Sequence, residues 1–117
     1  MTALNSGELN PGELNPGEFN QKVDGTLSAI EDALDACDAD LDWDAAGGIL
    51  TIECENGSQV IINRQEPTRQ IWVAARAGGF HFDYHSDEDC WKQGDLELMD
   101  MLSQSLTEQS GETVNLK

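Results

Sequence analysis

At 117 residues with 38% apolar content, the chain has room for one domain around one hydrophobic core. Its 23 acids against six Lys and Arg give a formal charge of −17. That charge repels phosphate backbones and anionic leaflets, which argues against nucleic acid and membrane surfaces as partners and in favour of metal ions or basic protein surfaces.

Residues 4–18 read LNSGE, LNPGE, LNPGE. Pro11–Gly12 and Pro16–Gly17 are turn dipeptides, so residues 1–18 are expected to be a flexible acidic tail and residues 19–117 the folded domain. From Phe19 the pattern changes: Phe19, Val23, Leu27, Ile30 and Leu34 form one apolar stripe at helical spacing. Gly25 within it costs roughly 1 kcal/mol against Ala and predicts a soft start.

After Cys37 the period shifts to two. Asp38, Asp40, Asp42 and Asp44 alternate with Ala39, Leu41, Trp43 and Ala45, as in a half-buried strand. Gly47–Gly48 turns the chain into a second strand, Ile49–Cys54, and Asn56–Gly57 is a hairpin signal leading to a third, Gln59–Asn63. Arg64–Thr68 reads as a connection, Gln70–Ala75 as a fourth strand, Gly78–Gly79 as a turn and Phe80–Tyr84 as a fifth strand. A short sixth is expected near Asp89–Trp91. Asp95–Gln109 then reads as a helix, with Asp95 as its N-cap and Gly111 as its C-terminal glycine. The segment Thr113–Leu116 is apolar enough to pack back on the domain. Helix, antiparallel meander, helix predicts an α+β two-layer sandwich, both helices covering one face of the sheet.

Seven acids crowd fourteen residues: Glu31, Asp32, Asp35, Asp38, Asp40, Asp42 and Asp44. Glu31, Asp35 and Asp38 are spaced to share a helix face, and Asp38 to Asp44 to share a strand face, which predicts one continuous carboxylate rim extended by Glu55. Asp35 and Asp38 are expected in the helix's last turn, where the macrodipole disfavours anions by about 0.3–1 kcal/mol each. Exposed carboxylates bind hard cations weakly and without a fixed cage. Asp42-x-Asp44-x-Ala46-Gly47 approaches an EF-hand loop, but Ala46 replaces an oxygen ligand and the flanks read as strands.

Ile71, Val73 and Ala75 take one face of the fourth strand, which leaves Trp72 on the polar face with Gln70 and Ala74. A large aromatic there suggests a protein contact. Arg64, Arg69 and Arg76 are expected to pair with acids internally. His81 and Asp83 share a strand face and read as surface residues.

Cys37, Cys54 and Cys90 are odd in number and widely spaced, which predicts reduced thiols and a cytoplasmic location. The N-terminus has no basic or apolar region of the secretory kind, and no apolar run approaches the ~20 residues of a membrane helix. No nucleophile elbow, phosphate loop or HExxH motif stands out, so no enzyme is expected.

The run from Glu55 to Asp83, ENGSQVIINRQEPTRQIWVAARAGGFHFD, closely resembles the central signature of bacterial frataxins. INRQEP (Ile62–Pro67), Gln70–Ile71–Trp72 and GGFHFD (Gly78–Asp83) carry it most specifically. GGILTI (Gly47–Ile52) and SGETV (Ser110–Val114) agree, so that it spans residues 19–117. The resemblance implies a helix–sheet–helix sandwich, weak binding of Fe2+ and Fe3+ on the acidic ridge with other divalent cations accepted, and a monomer without iron. It further implies docking on a cysteine desulfurase and the scaffold machinery of iron–sulfur cluster assembly, with Asn63 and Gln70 beside Trp72 in the contact. The acidic stretch before Gly47 is shorter than usual in the family, which bears on the ligand positions. Leu98–Met99 stand where bulky aromatics are common, which bears on packing. Two other readings stay open: a metal-independent module whose acids serve only a basic partner, and an enzyme oxidising ferrous iron at the ridge.

Overall fold

The computed structural model describes residues 14–116; the pentapeptide copies at 4–8 and 9–13 lie outside the described residues. The third copy, 14–18, does not extend a tail but opens the first helix, α1 (Pro16–Ala36). Asn15 accepts from the Glu18 backbone N–H at 2.8 Å, and Glu18 accepts from the Asn15 N–H at 3.2 Å, a reciprocal cap. Pro16 takes the first helical position, where a missing N–H is harmless and a fixed φ favours the helix. The Pro–Gly pair expected to turn the chain therefore starts a helix. Phe19, Val23, Ile30 and Leu34 are buried as their spacing predicts, with Leu27 packed partly against them.

A seven-stranded antiparallel meander follows, its strands in chain order across the sheet. They are β1 (Leu41–Ala46), β2 (Ile49–Cys54), β3 (Gln59–Gln65), β4 (Gln70–Ala75), β5 (Gly78–His85), β6 (Cys90–Gln93) and β7 (Leu96–Glu97). A single 3-10 turn, Glu66–Thr68, joins β3 to β4. Gly47 and Gly48 have φ of 61° and 79°, the left-handed pair that a two-residue hairpin needs to pair Ala46 with Ile49. At the β4–β5 connection the turn is Arg76–Ala77, not Gly78–Gly79; both glycines pair with β4, opposite Ala75 and Ala74.

The second helix, α2 (Leu98–Ser110), begins three residues later than its sequence suggests, because β7 takes Leu96–Glu97. Glu97, not Asp95, is the N-cap, accepting from the Met99 N–H at 3.3 Å. Gly111 ends the helix at φ 77° as expected.

Both helices cover one sheet face, where Leu50, Ile52, Val60, Ile62, Ile71, Val73, Phe82 and Trp91 meet α1 and α2 in one core. Trp91 meets Phe19 of α1 edge to face at 5.9 Å and donates to Thr26 at 3.0 Å. Val114 and Leu116 close the core, with the Leu116 N–H donating to Ser103. Gln109 is the buried polar tie: it accepts from the Arg76 N–H at 3.0 Å and donates to the Gln59 carbonyl at 3.3 Å. Among the described residues, no helix lies on the opposite sheet face.

Candidate functional site

The acidic residues gather at the β1 side of the molecule, but on three separate surfaces. Glu31 and Asp35 share a face of α1 with Asp24 and Ser28, at spacings of three and four. Asp24, Ser28 and Glu31 line a depression with Gly47, Gly48 and Arg64 at the β1–β2 turn. Asp32 points elsewhere, towards Asn115 and Leu116. The helix ends at Ala36, with Cys37 as its C-cap, so Asp38 lies beyond it in the loop and not in its last turn. The macrodipole argument then applies to Asp35 alone. Asp38 and Asp40 also precede β1 and do not belong to the strand; the Asp40 N–H donates to Glu112 at 3.4 Å.

Asp42 and Asp44 are exposed on β1. The β1–β2 register sets Asp42 against Glu53 and Asp44 against Thr51 on the helix-free face, while Leu41, Trp43 and Ala45 pair with buried Cys54, Ile52 and Leu50 on the other. Continuing that register brings Glu55 opposite Asp40. Glu53 is the ridge member that sequence reasoning left aside; the two-residue Gly47–Gly48 turn, which fixes Ala46 against Ile49, could have found it. Glu112 had no comparable signal.

None of Glu31, Asp32, Asp35, Asp38, Asp40, Asp42, Asp44 or Glu55 has an ion pair among the described residues, whose three ion pairs are Lys22–Asp89, Arg64–Asp24 and Lys92–Glu88. No three of these ridge carboxylates bring oxygens within 4.8 Å of one another. Separated, oxygen-only donors, all exposed but the half-buried Glu31, suit hydrated hard cations held loosely. Of the arginines, Arg64 alone meets an acid among the described residues, binding Asp24 and also Asn20. Arg69 instead donates to the carbonyls of Leu14 and Glu66, and Arg76 has no ion pair among the described residues.

Across the helix-free face, Ile49, Asn63, Trp72 and His81 occupy one row from β2 to β5. Trp72 is half-buried, stacked on His81 with centroids 4.2 Å apart and planes 13° from parallel. Its indole N–H donates to Gln70 at 2.8 Å, and Gln70 donates to Asp83 at 3.0 Å. Asn63, Gln70 and Trp72 are thus together, joined by His81, and Asp42, Asp44 and Glu53 lie on the same face nearer its edge.

On the helix side, Lys22 links α1 to the β5–β6 turn. Its bond to the Tyr84 hydroxyl, then its ion pair with Asp89 at 3.2 Å, hold the ammonium above its usual range. Hydrogen bonds from Tyr84 and Lys22 hold the Asp89 carboxyl below its own, and burial pushes Tyr84 up.

The chain folds as an acidic α+β sandwich with helices on one sheet face. The frataxin-like domain family matches residues 12–112, and the chain belongs to that family. It is 50% identical over 94 residues to a Pseudomonas aeruginosa protein named iron-sulfur cluster assembly protein CyaY, covering 79% of this chain and 87% of that one. A protein of the same name from Tolumonas auensis is 45% identical, covering 80% and 90%. Among solved structures, frataxin from Psychromonas ingrahamii superposes with a TM-score of 0.80 at 38% identity, over 89% of this chain and 99% of that one. Yeast frataxin, 24% identical, has a TM-score of 0.60 over 92% and 95%, a likeness of fold.

Proposed function

We propose that this chain is a non-catalytic accessory of iron–sulfur cluster assembly that binds iron weakly on its acidic ridge and docks on a cysteine desulfurase. The names of its relatives supply the process. The observation that carries the rest is the set of eight ridge carboxylates without an ion pair among the described residues, in a protein that has only six Lys and Arg. Unpaired carboxylates gathered at one edge stay available to a cation or to a basic surface. In this reading Fe2+ and Fe3+ occupy Glu31, Asp32, Asp35, Asp38, Asp40, Asp42, Asp44 and Glu55 as exchangeable cargo, joined by Glu53. The stacked Trp72, with Asn63 and Gln70, meets the partner. The folded unit is taken to begin with the Asn15 cap, and the chain to work in the cytoplasm as a monomer without iron.

A second reading, a metal-independent docking module, draws on the separation of the carboxylates into three surfaces. An anaerobic ferrous titration followed by backbone amide resonances separates the two. Broadening at residues 31–44 and 53–55 is the expected result. No change at millimolar iron, with desulfurase binding retained, selects the docking module.

A further inference from the structure

Three side chains on the β5–β6 turn bring ligand atoms together away from the ridge. His85 ends β5, and its carbonyl accepts from the Glu88 backbone N–H at 3.2 Å. That turn folds Asp87 and Glu88 back beside the imidazole, so that one ligand atom from each of the three residues lies within 4.8 Å of the others. Tetrahedral ligands at bond lengths of about 2.0–2.2 Å stand roughly 3.5 Å apart, a contraction that exposed carboxylates make by rotamer adjustment alone. His85 is half-buried and both acids are exposed.

The turn carries three consecutive acids, Asp87, Glu88 and Asp89, of which the first two converge with one of the chain's two histidines. The ridge holds eight acids and yields no such trio among the described residues. Four strand spacings of ~4.8 Å separate β5 from the β1 edge, so the two places are roughly 19 Å apart. Lys92 holds Oε1 of Glu88 at 2.8 Å, which steadies that carboxylate and leaves its second oxygen for another charge. Cys90 is His85's cross-strand partner but does not belong to the converging group.

We propose that His85, Asp87 and Glu88 form a second cation site, selective for borderline first-row divalent ions such as Zn2+ and Co2+. An imidazole nitrogen among carboxylate oxygens favours such ions over Mg2+ and Ca2+, which take oxygen donors. The ridge has oxygen donors only and lacks the nitrogen that gives this selectivity. The site is independent of the ridge and of the partner surface, and stands or falls separately from the function proposed above.

The test is a Zn2+ titration of the isotope-labelled full chain in excess Mg2+, following the two histidine rings and the backbone amides. The expected result is a shift of the His85 ring and the amides of residues 85–88 while Mg2+ occupies the ridge, with the His81 ring as internal control. Removing a direct ligand should weaken binding at least as much as loss of a supporting residue does, about tenfold or more. His85→Gln and Asp87→Asn are therefore each expected to lose this response while keeping a folded amide spectrum, and Cys90→Ser to retain it. Suppression of the shifts by Mg2+, or an unchanged titration in His85→Gln, would overturn the proposal. So would a response lost in Cys90→Ser and kept in Asp87→Asn, since the ligands would then be His85 and Cys90.

Discussion

Asp42 and Glu53 stand directly opposite each other in the β1–β2 register, two carboxylates on the sheet face that carries no helix. Like charges in that position work against the ladder, and neither acid has an ion pair among the described residues. Glu53→Gln is expected to stabilise the fold by a few tenths to about 1 kcal/mol, raising the melting temperature by about 2–6 °C. Divalent cations bound by the native ridge should raise the melting temperature of the unmodified protein by mass action, and that of the variant less. Calorimetric melts with and without added Mg2+ check both. A variant that melts lower, or gains as much from the ion, would show that the pair is not under strain.

That pair also shows what the sequence could and could not convey. Strands with strict alternation between marked turns were legible to the residue, as Ile49–Cys54 and Gln70–Ala75 were, because burial on one face leaves a period of two. Boundaries where one residue type serves two structures were not. Pro16–Gly17 reads as a turn until Asn15 and Glu18 are seen to cap each other across it. Asp38 fits both a helical and a strand spacing and belongs to neither element, since the helix ends before it. Leu96–Glu97 is too short to leave a pattern, and by pairing with β6 it moves the cap of α2 from Asp95 to Glu97. Among the acids near β1, Glu53 was missed, and the separation of Glu31 and Asp35 from Asp32 depends on which side of α1 each one takes.

The reciprocal cap gives a second expectation. Replacing Asn15 by Ala removes the acceptor for the Glu18 N–H and should cost about 1 kcal/mol, lowering the melting temperature by roughly 4–8 °C. Deleting residues 1–13 should leave it unchanged if the folded unit begins at this cap. Thermal melts of the two variants side by side test this, and a deletion as damaging as Asn15→Ala would move the boundary towards the N-terminus.

Lys22 supplies a pH dependence. Its ammonium is held above the usual 10.5 by the Tyr84 hydroxyl and then by Asp89, so the folded state binds this proton more tightly than the unfolded chain does. The resulting stabilisation is fully present below pH 10.5 and is lost as the pH rises through the folded value. Lys22→Met should therefore be less stable than the unmodified protein at neutral pH, and the gap should close in alkali. Urea unfolding at a series of pH values measures the gap; one that persisted unchanged well above pH 10.5 would locate the effect of Lys22 in packing over the Tyr84 ring.

Trp72 allows stability and binding to be separated at one position. Its indole lies on the helix-free face, stacked on His81 and tied to Gln70, and takes no part in the core beneath α1 and α2. Truncation to Ala removes a stack worth about 0.5–1.5 kcal/mol, so the melting temperature should fall modestly and the fold survive. If the indole anchors the desulfurase, the same change should cost about 2 kcal/mol or more of binding, a loss of roughly thirtyfold. Gln70→Ala frees the indole N–H without removing the ring and should give a smaller loss. His81→Ala removes the stacking partner alone and separates the support of Trp72 from its contact. Calorimetric titration of each variant against the desulfurase, with its melt as control, orders the three. Equal affinities for Trp72→Ala and the unmodified protein would move the contact off this face, leaving the ridge to account for docking by charge.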